Sequence, residues 1–151
     1  MIRRTLTLAA VLALTGLLPA QHPPSPIEAT RQLLLGNHLF SLQWVSWEQF
    51  GKATVTQEGE VLTLKGEQRK NGDYVTIQGA ITEVLANGFR FHGKVTTRVS
   101  YINKGQPCVR DGTYNFLATG ARKFWRMREI NNPCDEAADY VDIYFKRPVV
   151  R

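Results

Sequence analysis

Chemistry in this 151-residue chain would have to start from a sparse set of side chains. The three histidines, His22, His38 and His92, are scattered, and none has a second histidine at metal-ligand spacing. There is no GxSxG elbow, HExxH helix or phosphate loop. Asn131, Asn132, Asp135, Glu136 and Asp139 form an oxygen-rich run beside Cys134. Oxygen ligands suit calcium, but the spacing does not follow an EF-hand, and the run reads as a polar loop. Cys108 lies near Arg110, which would favour a reactive thiolate if the thiol were unpaired. Cys134 supplies a partner and no CxxC exists, so a Cys108–Cys134 disulfide is expected. Closing that loop of about 27 residues is worth roughly 3.5 kcal/mol in the chain-entropy account. No catalytic residue, metal site or cofactor is assigned.

The charge distribution is more informative. The chain has 19 basic and 13 acidic residues. Between Phe89 and Arg128 the basic residues are Arg90, Lys94, Arg98, Lys104, Arg110, Arg122, Lys123, Arg126 and Arg128, and Asp111 is the only acid. This stretch carries +8. Strand parity sends alternate residues to opposite faces. Phe89, Phe91, Val95, Val99 and Tyr101 share one parity, and Arg90, His92, Lys94 and Arg98 share the other. Trp125 and Met127 likewise look inward, leaving Arg126 and Arg128 outward with Arg122 just before them. A strand presenting Thr113 and Asn115 lies between, which sets the basic rows about 10 Å apart.

The expectation is an anion-binding surface made by Arg90, Lys94, Arg98, Arg122, Arg126 and Arg128, since the guanidinium fork suits phosphate and carboxylate. A merely solvated face is the plain alternative. Asp142 is expected outward beside Arg126, with Tyr140 and Tyr144, in an exposed pair worth at most about 1 kcal/mol. Phe89, Phe91, Tyr101, Tyr114, Phe116 and Trp125 are expected to line an interior that holds a small apolar ligand.

The elements that must position these residues follow from periodicity. Arg3 and Arg4, an uncharged run from Leu6 to Leu18, and Pro19-Ala20 describe a signal peptide over residues 1–20, too short to span a bilayer as a helix. A permanent N-terminal anchor is the alternative. Residues 21–38 hold a spacer and a short helix: Ser25 as cap, Pro26 in the first turn, Glu28 three after the cap, and Gly36 as the stop. Ile27, Leu34 and Leu35 would face inward.

From Leu39 the period becomes two. The expected strands are Leu39 to Trp47, Gly51 to Gln57, Val61 to Gln68, Tyr74 to Val84, Phe89 to Asn103, Thr113 to Thr119, Lys123 to Glu129 and Tyr140 to Phe145. Asn71-Gly72 is the strongest hairpin signal, because both turn positions need positive φ. Eight sequential strands avoid open edges by closing on themselves. The predicted fold is therefore all-β: one antiparallel eight-stranded meander closed into an up-and-down barrel over residues 39–147, with a tail at 148–151. This layout resembles the lipocalin and fatty-acid-binding (calycin) barrels, although Gly36 and Trp44, eight apart, do not match the lipocalin glycine–tryptophan spacing. A two-sheet sandwich is the alternative.

The functional expectation is an exported, non-enzymatic binding protein of the periplasm or the cell exterior. It would hold a small apolar ligand in the barrel, or contact an anionic envelope component or acidic protein through the basic face. Export disfavours nucleic acid as the anion. The alternatives are a barrel-mouth hydrolase or isomerase with Arg110 as an anion clamp, and a secreted inhibitor or scaffold acting through its loops.

Overall fold

The computed structural model describes residues 22–146. The expected signal peptide and the C-terminal tail lie outside the described residues. Helix α1 (Pro26–Leu34) precedes eight antiparallel strands: β1 (Gly36–Leu42), β2 (Gly51–Glu58), β3 (Val61–Lys70), β4 (Asp73–Leu85), β5 (Gly88–Arg98), β6 (Cys108–Leu117), β7 (Phe124–Met127) and β8 (Val141–Tyr144). Each strand pairs with the next, and β8 returns to β1 through Phe40↔Ile143. The sheet is a closed barrel, which removes the sandwich alternative.

Local chemistry accounts for the joints. The Ser25 side chain accepts from the Glu28 N–H at 3.2 Å, capping α1. The chain leaves the helix at Leu35 and turns on Gly36, whose φ of +99° suits glycine. Asn71 and Gly72 take φ values of +52° and +86°, as the β3–β4 hairpin requires. The face of α1 differs from expectation. Ile27 is exposed, whereas Thr30 and Leu34 are buried, because the Thr30 hydroxyl donates to the Ala86 carbonyl at 2.8 Å and turns that side of the helix to the barrel end.

Strand boundaries shift as well. β1 starts earlier and stops at Leu42, where the chain turns through Gln43–Val45. β5 ends at Arg98 rather than Asn103, because the following segment curls through a short 3-10 turn with Asn103 and Lys104 at φ of +51° and +54°. Val99 still faces the core, but the alternation is lost at Tyr101. Tyr101 is therefore 66% exposed instead of facing the core.

The interior is one apolar cluster. Phe89 stacks on Phe116 at 5.0 Å between ring centroids, Trp125 meets Phe89 edge-on at 5.8 Å, and Phe91 meets Phe116 at 6.2 Å. Gly79 and Gly93 oppose each other in this wall. A Cβ on Gly79 would sit 2.2 Å from the His92 carbonyl oxygen, and one on Gly93 would sit 2.3 Å from that of Gln78. Both strands approach too closely there for any side chain.

Candidate functional site

Closure of the barrel changes the meaning of the arginine rows. Arg90 pairs with Glu83 at 2.6 Å, Lys94 lies 3.9 Å from Asp111, and Arg98 pairs with Asp73 at 3.1 Å while also donating to the Gly72 and Gly105 carbonyls. Arg126 grips Asp142 with two bonds of 2.8 Å. Most of these acids come from outside the basic stretch, so folding matches +8 in the sequence with carboxylates from neighbouring strands. Among the six expected anion-binding residues, only Arg122 and Arg128 make no salt bridge within the described residues.

The Arg126–Asp142 pair departs from its expected exposure. Asp142 is fully buried and the Arg126 side chain is 16% exposed, with the guanidinium 4.2 Å from the Tyr140 ring and 5.2 Å from the Phe124 ring. The hydrogen bond to Asp142 holds the Arg126 proton more tightly than usual. On the opposite side of the wall, Arg110 points inward. Its guanidinium donates to the Glu129 carbonyl and lies 3.6 Å from the buried Asp139 carboxylate, while one terminal nitrogen has no hydrogen-bond partner among the described residues. Burial pushes the Asp139 carboxyl above the ordinary range, against the opposing pull of Arg110 and the Asn132 amide. The Cys108–Cys134 disulfide, with a Cα–Cα distance of 5.9 Å, closes the same corner. Arg110 is thus a strut of the interior, closed off from a substrate.

The oxygen-rich run is similarly occupied. Asn132 bridges the Cys134 N–H and Asp139, and Asp135 accepts from the Asn103 and Glu136 N–H groups, which lower its pKa. No group of three or more His, Cys, Asp or Glu residues among those described is placed to hold a metal. His38 has both ring nitrogens against carbonyls, Tyr144 at 2.9 Å and Leu34 at 2.6 Å, and ties α1 to β8.

The expected lining residues divide. Phe89, Phe91, Phe116 and Trp125 are buried against one another, and Tyr114 is half-buried beside Phe91. Tyr101 stands outside, where its ring meets Trp44 edge-on and its hydroxyl donates to the Trp44 carbonyl. That pair borders a cleft of about 510 Å3 with Asp135 and Glu136 on its rim.

Two other outer surfaces are concave. A trough of about 990 Å3 crosses β2 to β6 over Gly79 and Gly93, with Lys52, Lys65 and Lys94 on its walls together with Glu67 and Asp111. A groove of about 650 Å3 lies across β1 and β8, lined by Leu39, Phe50, Tyr144 and Phe145 with Lys52, Lys123 and Lys146 around it. A depression of about 370 Å3 shares Lys123 and Phe145 with the groove and runs beside α1, adding Leu33, Ala29 and Arg122. Among the described residues, neither of these two joined hollows has an acidic lining residue. Phe50 and Phe124 each pack on Tyr144, at 5.2 and 5.3 Å. Burial raises the Tyr144 phenol above its usual range, so it stays neutral beside the lysines.

Sequence reasoning missed this groove, because its residues come from four separate segments. The one usable signal was Leu39, an apolar side chain on the outward parity of β1, cross-strand from Lys52.

Comparison with known proteins adds kinship. A model of the PM1083 family matches residues 24–145. The chain belongs to the PM1083 family. Within that family, the uncharacterised protein PM1083 of Pasteurella multocida (strain Pm70) is 41% identical over 122 residues, covering 81% of this chain and 80% of the relative. The matched span of the PM1083 family model includes α1 and all eight strands. No solved structure matches significantly.

Proposed function

We propose that this PM1083-family protein is exported and acts as a non-enzymatic binding protein, engaging an anionic partner through the groove over β1 and β8. The observation that carries this reading is the lining of the two joined hollows: Lys52, Lys123, Lys146 and Arg122, with no carboxylate among the described residues. None of these four makes a salt bridge among the described residues, in contrast to Arg90, Arg98, Arg110 and Arg126. All four are exposed, and an ammonium or guanidinium without a salt bridge gains a charge-assisted hydrogen bond from an incoming anion. An interior ligand has less support, because the large aromatics there already contact one another. The Cys108–Cys134 disulfide and the lack, among the described residues, of a helix long and apolar enough to cross a membrane are compatible with export.

The test is retention on a sulfated polymer matrix at increasing salt. The protein should elute at lower salt when Arg122 and Lys123 are changed to Glu, and an Arg90→Ala/Glu83→Ala double variant should move less, since that pair carries no net charge. Equal elution of wild type and the Arg122/Lys123 double variant sinks the reading.

A further inference from the structure

We infer that the groove takes a single-chain anionic amphiphile, its alkyl chain on Leu39, Phe50 and Phe145 and its head group among Lys52, Lys123 and Lys146; this rests on the anionic-partner reading above. Three observations converge. Leu39 and Phe50 are large apolar side chains left 44% and 37% exposed, on a barrel whose interior is otherwise well filled. They sit with Tyr144 and Phe145 in one hollow of about 650 Å3, the size range of small-molecule sites rather than of a membrane-docking face. The lining charges among the described residues all have one sign, and Lys146 reaches back over β1, where its Nζ lies 3.0 Å from a Cβ built on Gly36.

A ligand of one chemistry answers both features. A purely apolar molecule would leave three ammonium groups beside it without a counter-charge. A free anion would leave Leu39 and Phe50 in water. An alkyl chain ending in a carboxylate or phosphate covers the first set and pairs with the second. The outer trough lacks this pairing of features, because Glu67 and Asp111 share its walls with the lysines. The Trp44–Tyr101 cleft has the wrong charge, with Asp135 and Glu136 on its rim.

The experiment titrates the full exported chain, below the micelle concentration, with dodecyl phosphate, inorganic phosphate and dodecyl maltoside, and follows amide shifts by NMR. Dodecyl phosphate should bind at least about tenfold more tightly than either of the others, with shifts confined to β1, β8 and the segment around Phe50. Leu39→Glu should weaken it by about the same factor with the melting temperature unchanged, since that side chain is already partly in water. Lys123→Glu should weaken dodecyl phosphate and leave dodecyl maltoside unaltered. Inorganic phosphate binding as well as dodecyl phosphate overturns the amphiphile and leaves the anionic-partner reading standing. Dodecyl maltoside binding equally well overturns both. Binding to phosphatidylglycerol vesicles without binding of monomeric dodecyl phosphate assigns the groove to a membrane surface and overturns the proposal.

Discussion

The barrel is held in two different ways on its two sides. From β2 to β6 the wall is a long backbone ladder, with β4 and β5 paired from Tyr74↔Arg98 to Leu85↔Gly88 apart from a bulge between Ile81 and Glu83, and β5 and β6 in register from Gly88↔Leu117 to Thr97↔Cys108. From β6 round to β1 the ladder is short. β6 and β7 meet only at Phe116↔Met127 and Leu117↔Arg126, β7 and β8 from Phe124↔Tyr144 to Arg126↔Asp142, and β8 and β1 from Phe40↔Ile143 to Leu42↔Val141. Side chains close what the backbone leaves open: Arg126 on Asp142, Arg110 on Glu129 and Asp139, Asn115 on Glu129, and the disulfide. A long ladder holds by its backbone bonds, whereas a short one depends on particular side-chain pairs. The basic apolar groove lies on the short-ladder side.

Substitutions should separate the two sides, and the largest effect belongs to the buried pair. Asp142→Ala leaves the Arg126 guanidinium without its counter-charge in a mostly buried site and should cost about 3–5 kcal/mol in denaturant unfolding. Replacing both Arg126 and Asp142 with Leu should recover most of that loss; no recovery would show that the aromatic stacking, not the charge, does the holding. Next comes the disulfide. Cys108→Ser with Cys134→Ser should lose about 3.5 kcal/mol by the same measurement, and a loss below about 1 kcal/mol would mean that Arg110 and Asn132 close the corner unaided.

On the ladder side the effects should be small. Glu83→Ala removes the partner of an Arg90 that is about half exposed, and should change stability by less than about 1 kcal/mol. A larger loss would erase the contrast between the two sides. Smallest is a pH effect. Asp139 holds its proton to higher pH when folded than when unfolded, so its contribution to stability is full below the ordinary aspartate range and is lost as pH rises through the raised value. The stability of wild type relative to Asp139→Asn should therefore fall with rising pH and then level off once Asp139 is ionised in both states. A difference that grows with pH would mean that attraction to Arg110 outweighs burial.

Sequence periodicity carried the ladder side well. All eight strands, the Asn71-Gly72 hairpin, the closed barrel and the disulfide were legible, because alternation and turn chemistry are local signals. Tyr101 was misplaced because parity counts only while the strand lasts, and two residues with positive φ follow soon after it. Asp142 was expected in water because parity names a face but not what lies over it; Arg126 and the Tyr140 ring cover that face. The basic stretch was read as a surface because its carboxylate partners, Glu83, Asp73, Asp139 and Asp142, stand on other segments and meet it only when the sheet closes. The groove needed the same closure, joining Leu39 and Lys52 to Tyr144, Phe145 and Lys146 from the far end of the chain.

The disulfide also divides the polypeptide into what is covalently looped and what is not. β6, β7 and the exposed turn at residues 119–123 lie inside the ring that it makes, whereas β8 lies beyond it. A protease that nicks the turn leaves a single tethered molecule. A protease that cuts at exposed Asp135 or Glu136 leaves the closing strand, with Tyr144, Phe145 and Lys146, held to the barrel by non-covalent contacts alone.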